Sequence, residues 1–81
     1  METKVGIVGI VVENAEKAGE IQKLLSEYSE YIIGRMGIPY KQKDVKIISV
    51  VLDAPVDTLN ALTGKIGKIE GVSAKTVISN V

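Results

Sequence analysis

Cysteine and histidine are both absent from this 81-residue chain. Without cysteine there are no disulfides, no thiolate metal sites, no iron–sulfur ligation and no thiol nucleophile. Without either residue a zinc, nickel or copper site has lost its usual ligands, and acid–base chemistry near neutral pH falls to perturbed carboxylates or lysines. No serine stands in a convincing pairing with a base. The expectation is therefore no enzyme, no catalytic residues, no metal and no cofactor. An excess of charge of either sign is missing too, since ten basic residues balance ten acidic ones, which disfavours direct nucleic-acid binding. The apolar run Val5 to Val12 is too short to cross a bilayer, and no small-residue cleavage site follows it. A cytoplasmic protein with no membrane association is expected.

The length fits one domain, residues 1–81. A domain of this size buries only about two-thirds of the surface that its unfolded chain exposes, and such thin cores are often supplemented by disulfides, metal or self-association. Self-association is the supplement left.

Lys4 to Val12 is mostly β-branched and apolar at both alternating positions, as in a strand buried on two faces. Asn14 is a plausible N-cap for an amphipathic helix from Ala15 to about Ser29, with Ala18, Ile21, Leu24, Leu25 and Tyr28 on one side. Glu16, Glu20, Lys23 and Glu27 on the other side read as a solvated surface. Tyr31 to Tyr40 is the second strand, and Lys41 to Asp44 a polar turn of hairpin length. Val45 to Leu52 forms the third strand, with Ile47 and Val51 on one face and Ile48, Val50 and Leu52 on the other. Pro55 suits the first turn of a second helix and Asp57 favours its N-terminal dipole. Val56, Leu59, Leu62, Ile66 and Ile69 form its apolar stripe, Gly71 is its expected C-terminal cap, and Val72 to Ile78 is the last strand.

The order βαββαβ is that of an α+β ferredoxin-like sandwich, a four-stranded antiparallel sheet with two helices on one face. The face without helices should be polar in a monomer, yet the first and third strands are apolar on both sides. A homo-oligomer, dimer or tetramer, is expected to bury that face or an edge of the sheet. On the second helix Asn60, Gly64 and Gly67 fall opposite the apolar stripe. Each mid-helix glycine costs roughly 1 kcal/mol relative to alanine. Tolerated surface glycine and the close approach of a partner are about equally good explanations.

Tyr31 to Tyr40 carries the only arginine, two of eight glycines, one of two prolines and two of three tyrosines. Gly34 and Gly37 are candidate β-bulge positions that aim Arg35 and Met36. Arg35 is the side chain best suited to grip a carboxylate or phosphate, although a salt bridge within the chain or between subunits is a somewhat better explanation. Pro39 fits an edge strand, and Tyr31 and Tyr40 fit a pocket or subunit boundary. Thr63-Gly64-Lys65 lies within a helix and fails as a phosphate loop. Asp53 and Asp57 bracket a helix start, where capping explains them. RNA recognition on this topology wants aromatic residues on the first and third strands, which have none.

The stretch Gly34-Arg35-Met36-Gly37-Ile38-Pro39-Tyr40, Asp53 with Asp57, and Ala61-Leu62-Thr63-Gly64-Lys65 followed by Gly71-Val72-Ser73 resemble the iron-only hydrogenase system regulators over nearly the whole chain. That family is similar in fold to ACT domains and to the sensing domain of nickel-responsive repressors. The resemblance implies an ACT-like oligomeric regulator with an effector or protein partner at an interface. Taken with the apolar sheet and the glycine-punctuated strand, it leads to the expectation of a small anionic ligand or a protein partner near Gly34, Arg35, Met36, Gly37, Pro39 and Tyr40, with Asn60, Gly64 and Gly67 as a partner-facing helix surface. Nickel sensing does not carry over, because its histidine and cysteine ligands are missing. The turn at Glu13-Asn14 has no glycine to admit an amino acid in the usual ACT manner.

Overall fold

The computed structural model describes residues 2–81. Strands β1 (Lys4–Val12), β2 (Ile32–Tyr40), β3 (Val45–Ala54) and β4 (Val72–Ile78) form one antiparallel sheet in the order β2-β3-β1-β4, with helices α1 (Ala18–Glu27) and α2 (Val56–Gly67) between them. This is the ferredoxin-like arrangement that the βαββαβ order predicts.

Strand alternation decides which side chains meet the helices. Val8, Ile10 and Val12 of β1 pair with Val50, Ile48 and Lys46 of β3, and all of these except Lys46 are at most 1 % exposed. Ile21 and Leu25 from α1 and Leu59, Leu62 and Ile66 from α2 close over that face and are fully buried. Each such side chain contributes roughly 1.5–3 kcal/mol by leaving water. At Gly6 the two layers approach closest: a methyl group there would lie 3.0 Å from Leu59 Cδ1.

The helix ends differ from the simple periodic reading. Asn14 is extended and its Oδ1 accepts from the Glu16 amide at 3.0 Å, while the Lys17 amide reaches the Asn14 carbonyl. This local bonding gives one 3-10 turn, Ala15–Lys17, before α1 begins. The α-helix stops at Glu27 and a second 3-10 turn, Ser29–Tyr31, follows, so Tyr31 lies outside the strand. Leu24 and Tyr28 are half-buried against the core. Val56 is 39 % exposed and does not belong to the buried stripe. No side chain caps α2, whose N-cap is Pro55, so Asp53 has no capping role. Asp57 lies in its first turn.

Gly71 is not the cap of α2, which ends four residues earlier at Gly67. It turns the chain into β4 at φ 77°, the left-handed region that glycine reaches without steric cost. The Glu13 amide donates to its carbonyl at 2.8 Å, and a methyl group on Gly71 would lie 2.9 Å from Asn14 Cβ. The turn that precedes α1 and the turn that follows α2 are thereby packed together. Lys65 Nζ donates to the Tyr28 hydroxyl at 2.9 Å and ties the two helices on their outer side. Thr63 on α2 and Thr76 on β4 share a hydroxyl hydrogen bond.

Candidate functional site

Both faces of the central strands are apolar, but only one is covered. Lys75, Gly9, Ser49 and Met36 form one row across the uncovered face. On one side of this row lie Ser73, Val11, Ile47 and Ile38, and on the other Val77, Ile7, Val51 and Gly34. Ile7, Val11, Ile47, Met36 and Ile38 are between 38 and 59 % exposed. An antiparallel sheet wetted on one face normally alternates apolar with polar. Here the small pair Gly9 and Ser49 leaves a shallow trough between two apolar ridges.

The segment Gly34 to Tyr40 is an edge strand that pairs only with β3. Its bulge falls at Ile33, between the pairs Ile32 with Leu52 and Gly34 with Val51, and not at Gly37, which pairs regularly with Ile48. Beyond the bulge the strand alternates, and the candidate residues separate. Met36 and Tyr40 share the open face with Gly34. Arg35, Gly37 and Pro39 share the helix side, opposite Val50, Ile48 and Lys46. One contiguous pocket does not contain all six. Arg35 Nη2 donates to Gln22 Oε1 on α1, a neutral partner, and no carboxylate lies within salt-bridge distance of it among the described residues. The Tyr40 hydroxyl donates to Gln42 Oε1 at 2.7 Å.

Where β2 and β3 meet, Lys41–Lys43 makes a 3-10 turn that Asp44 closes in the left-handed conformation, φ 53°. Beneath this hairpin lies a cleft of ≈ 200 Å³ lined by Val12, Ala15, Ala18, Pro39, Tyr40, Lys41, Asp44, Val45 and Lys46. It forms because Val12, Lys46 and Pro39 make a row across three strands just beyond the point where α1 starts. Of the residues singled out in the sequence, only Pro39 and Tyr40 border it. Lys46 was legible as an anomaly: it is in phase with buried Ile48, Val50 and Leu52. Its aliphatic stem crosses Gly37, where an added methyl group would sit 3.5 Å from Lys46 Cε.

On α2, Asn60, Gly64 and Gly67 are all solvent-exposed, on the side away from the sheet. Methyl groups built on Gly64 or Gly67 meet nothing within 4 Å. Packing within the chain therefore requires glycine at neither position. Among the described residues no cluster of acidic side chains has a geometry that holds a metal ion, and no helix is long and apolar enough to cross a membrane.

Sheet order, helix placement and the uncovered apolar face define a small α+β protein of the ferredoxin-like class. Residues 4–76 match the TM1266-like family, described as an iron-only hydrogenase system regulator, a role which that description leaves provisional. The chain belongs to this family. Its fold matches the structure of the uncharacterized protein TM1266 from Thermotoga maritima with a TM-score of 0.89 and 44 % sequence identity, covering 95 % of this chain and 98 % of that one. No curated protein matches the sequence.

Proposed function

We propose that the chain is a non-enzymatic regulatory module of the iron-only hydrogenase system. In this reading it works in the cytoplasm as a homo-oligomer, dimer or tetramer, and takes a small effector or a protein partner beside an interface that includes the β2 edge. The family supports the hydrogenase connection. The absence of histidine and cysteine supports a binding role over a catalytic one.

The observation that carries the oligomer is the uncovered face. Ile7, Val11 and Ile47 sit on the two central strands at 45, 38 and 38 % exposure, where a soluble monomer would place polar residues. The folded surface is 5232 Å², against about 4,700 Å² for a typical monomer of this mass. A second copy is the simplest cover, because it brings the same apolar ridges and only two charges, Lys75 on β4 and Asp53 opposite Val5 near the end of β3. Light scattering at micromolar concentration should give a multiple of the single-chain mass, and Ile7→Lys should reduce it to one chain with the circular dichroism unchanged. A single-chain mass for the unaltered protein would refute the oligomer.

A second reading, supported by the free glycines of α2, is a protein-binding accessory in hydrogenase assembly that has no small-molecule ligand. Gly64 lowers helix stability and relieves no contact inside the chain, as expected where another backbone lies close. The test is retention of hydrogenase maturation proteins from extract by the immobilised chain. Loss of retention in Gly64→Gln supports the reading, and undiminished retention rejects it.

A further inference from the structure

We propose that the cleft under the β2–β3 hairpin binds a small organic anion with an apolar body, the charge being taken by the Lys46 ammonium. This deepens the effector part of the reading above and rests on it for its biological meaning, but it centres on Lys46 and shares only Pro39 and Tyr40 with the Gly34 to Tyr40 edge as lining residues.

Lys46 is the one charged side chain in the interior-facing phase of β3, half-buried beside fully covered Val12. Among the described residues it takes part in no salt bridge, and no hydrogen bond satisfies its ammonium. An anion arriving in the cleft gives this ammonium the partner that the described residues do not supply. The Lys46 stem passes beside Gly37, with Cε 3.5 Å from where a methyl group on that residue would sit. The rest of the wall divides cleanly: Val12, Ala15, Ala18 and Pro39 are apolar, while Lys41 and Asp44 stand at the hairpin end. Two ammonium groups against one carboxylate leave the lining positive. Apolar walls lower the local dielectric and strengthen the attraction between Lys46 and an anion.

Size sets the ligand class. A cavity of roughly 150 Å³ holds benzene, so ≈ 200 Å³ suits a molecule of about six to eight non-hydrogen atoms. A branched short-chain carboxylate fits both the volume and the division of the wall into apolar and cationic parts.

The probe is isovalerate, titrated into the isotope-labelled full chain and followed by amide NMR shifts. Its neutral isostere isovaleramide and inorganic phosphate serve as the comparison arms. Expected are saturable shifts at Val12, Ala15, Ala18 and Lys46, with isovaleramide and phosphate each at least tenfold weaker. Lys46→Gln should weaken isovalerate at least tenfold, and Ala15→Leu, at an exposed position that fills the cleft, should abolish the shifts. Should Lys46→Gln lose its folded spectrum, the carboxylate-to-amide ratio on the unaltered chain decides the charge question alone. Absence of shifts up to about 50 mM, the weak limit for so small a ligand, overturns the proposal. Equal binding of isovaleramide or phosphate also overturns it. The oligomer is read separately by light scattering, so a cleft that stays empty in a multimeric protein rejects this site and leaves the regulatory reading standing.

Discussion

Ile47 and Ile48 are chemically identical neighbours on β3, yet one is 38 % exposed and the other 1 %. Ile7 and Ile10 on β1 repeat the contrast at 45 and 1 %. The helix-covered face is explained within the chain: on the two central strands Val8, Ile10, Val12, Ile48, Val50, Leu52 and Ala54 are at most 1 % exposed beneath α1 and α2. The open face has the same residue types and none of the cover. What differs is where the partner atoms come from, and the apolar character of the open face is useful only if something outside this chain supplies them.

The sharpest way to break this comparison is to truncate the paired isoleucines. Ile48→Ala should cost about 2–5 kcal/mol, as buried truncations do, a large fraction of the stability of a small domain. That cost should be independent of protein concentration in urea unfolding. Ile47→Ala should cost less in dilute solution, with a deficit that grows as the chain is concentrated, because only an associated state buries that side chain. Equal, concentration-independent costs would mean that the open face contributes nothing by association.

Two glycines sharpen the same distinction on a smaller scale. Gly71→Ala forces a methyl group into the left-handed region and against Asn14 Cβ, and should destabilise the chain by about 1–3 kcal/mol. Gly64→Ala has open space and a helical backbone, and should stabilise the isolated chain by about 1 kcal/mol. The opposite signs separate a glycine needed by the fold from one that the fold does not use. Thermal unfolding of the two variants against the unaltered chain checks both. A stabilised Gly64→Ala that also loses its maturation partners would place the reason for that glycine outside the chain.

Much of the fold was legible because its signals are local. The apolar parities of the first and third strands, the i, i+3, i+4 stripe from Leu59 to Ile66 and the Asn14 cap each depend on residues near in sequence, and each reappears in the structure. The candidate site was legible only in part, because its geometry is set by pairing. The extra residue at Ile33 fixes which face Arg35 and Met36 take, and nothing in Tyr31 to Tyr40 alone places the bulge there. Likewise Val12, Lys46 and Pro39 become neighbours only through the register of three strands. Lys46 was the one local clue, a charge at a position whose periodicity asks for an apolar residue.

The smallest expected effect concerns the outer side of the helices, which belongs to neither sheet face. Lys65 is exposed, and its pKa is raised above the ordinary 10.5, first by its hydrogen bond to the Tyr28 hydroxyl and then by charge on Tyr28, with desolvation opposing and the charge of Glu27 adding least. Its Nζ also lies 5.3 Å from the centre of the Tyr28 ring. A pKa that is higher when folded means that the charged form favours the folded state. The contribution is therefore complete below 10.5 and disappears as pH rises through the raised value. Lys65→Met keeps the stem and removes the charge, so its deficit relative to the unaltered chain should be constant from neutral pH to the approach of 10.5 and should shrink above it. Urea unfolding of both proteins on either side of 10.5 reads that difference. A deficit that persists unchanged at the higher pH would assign the contact to packing of the lysine stem on Tyr28, with the ammonium contributing nothing.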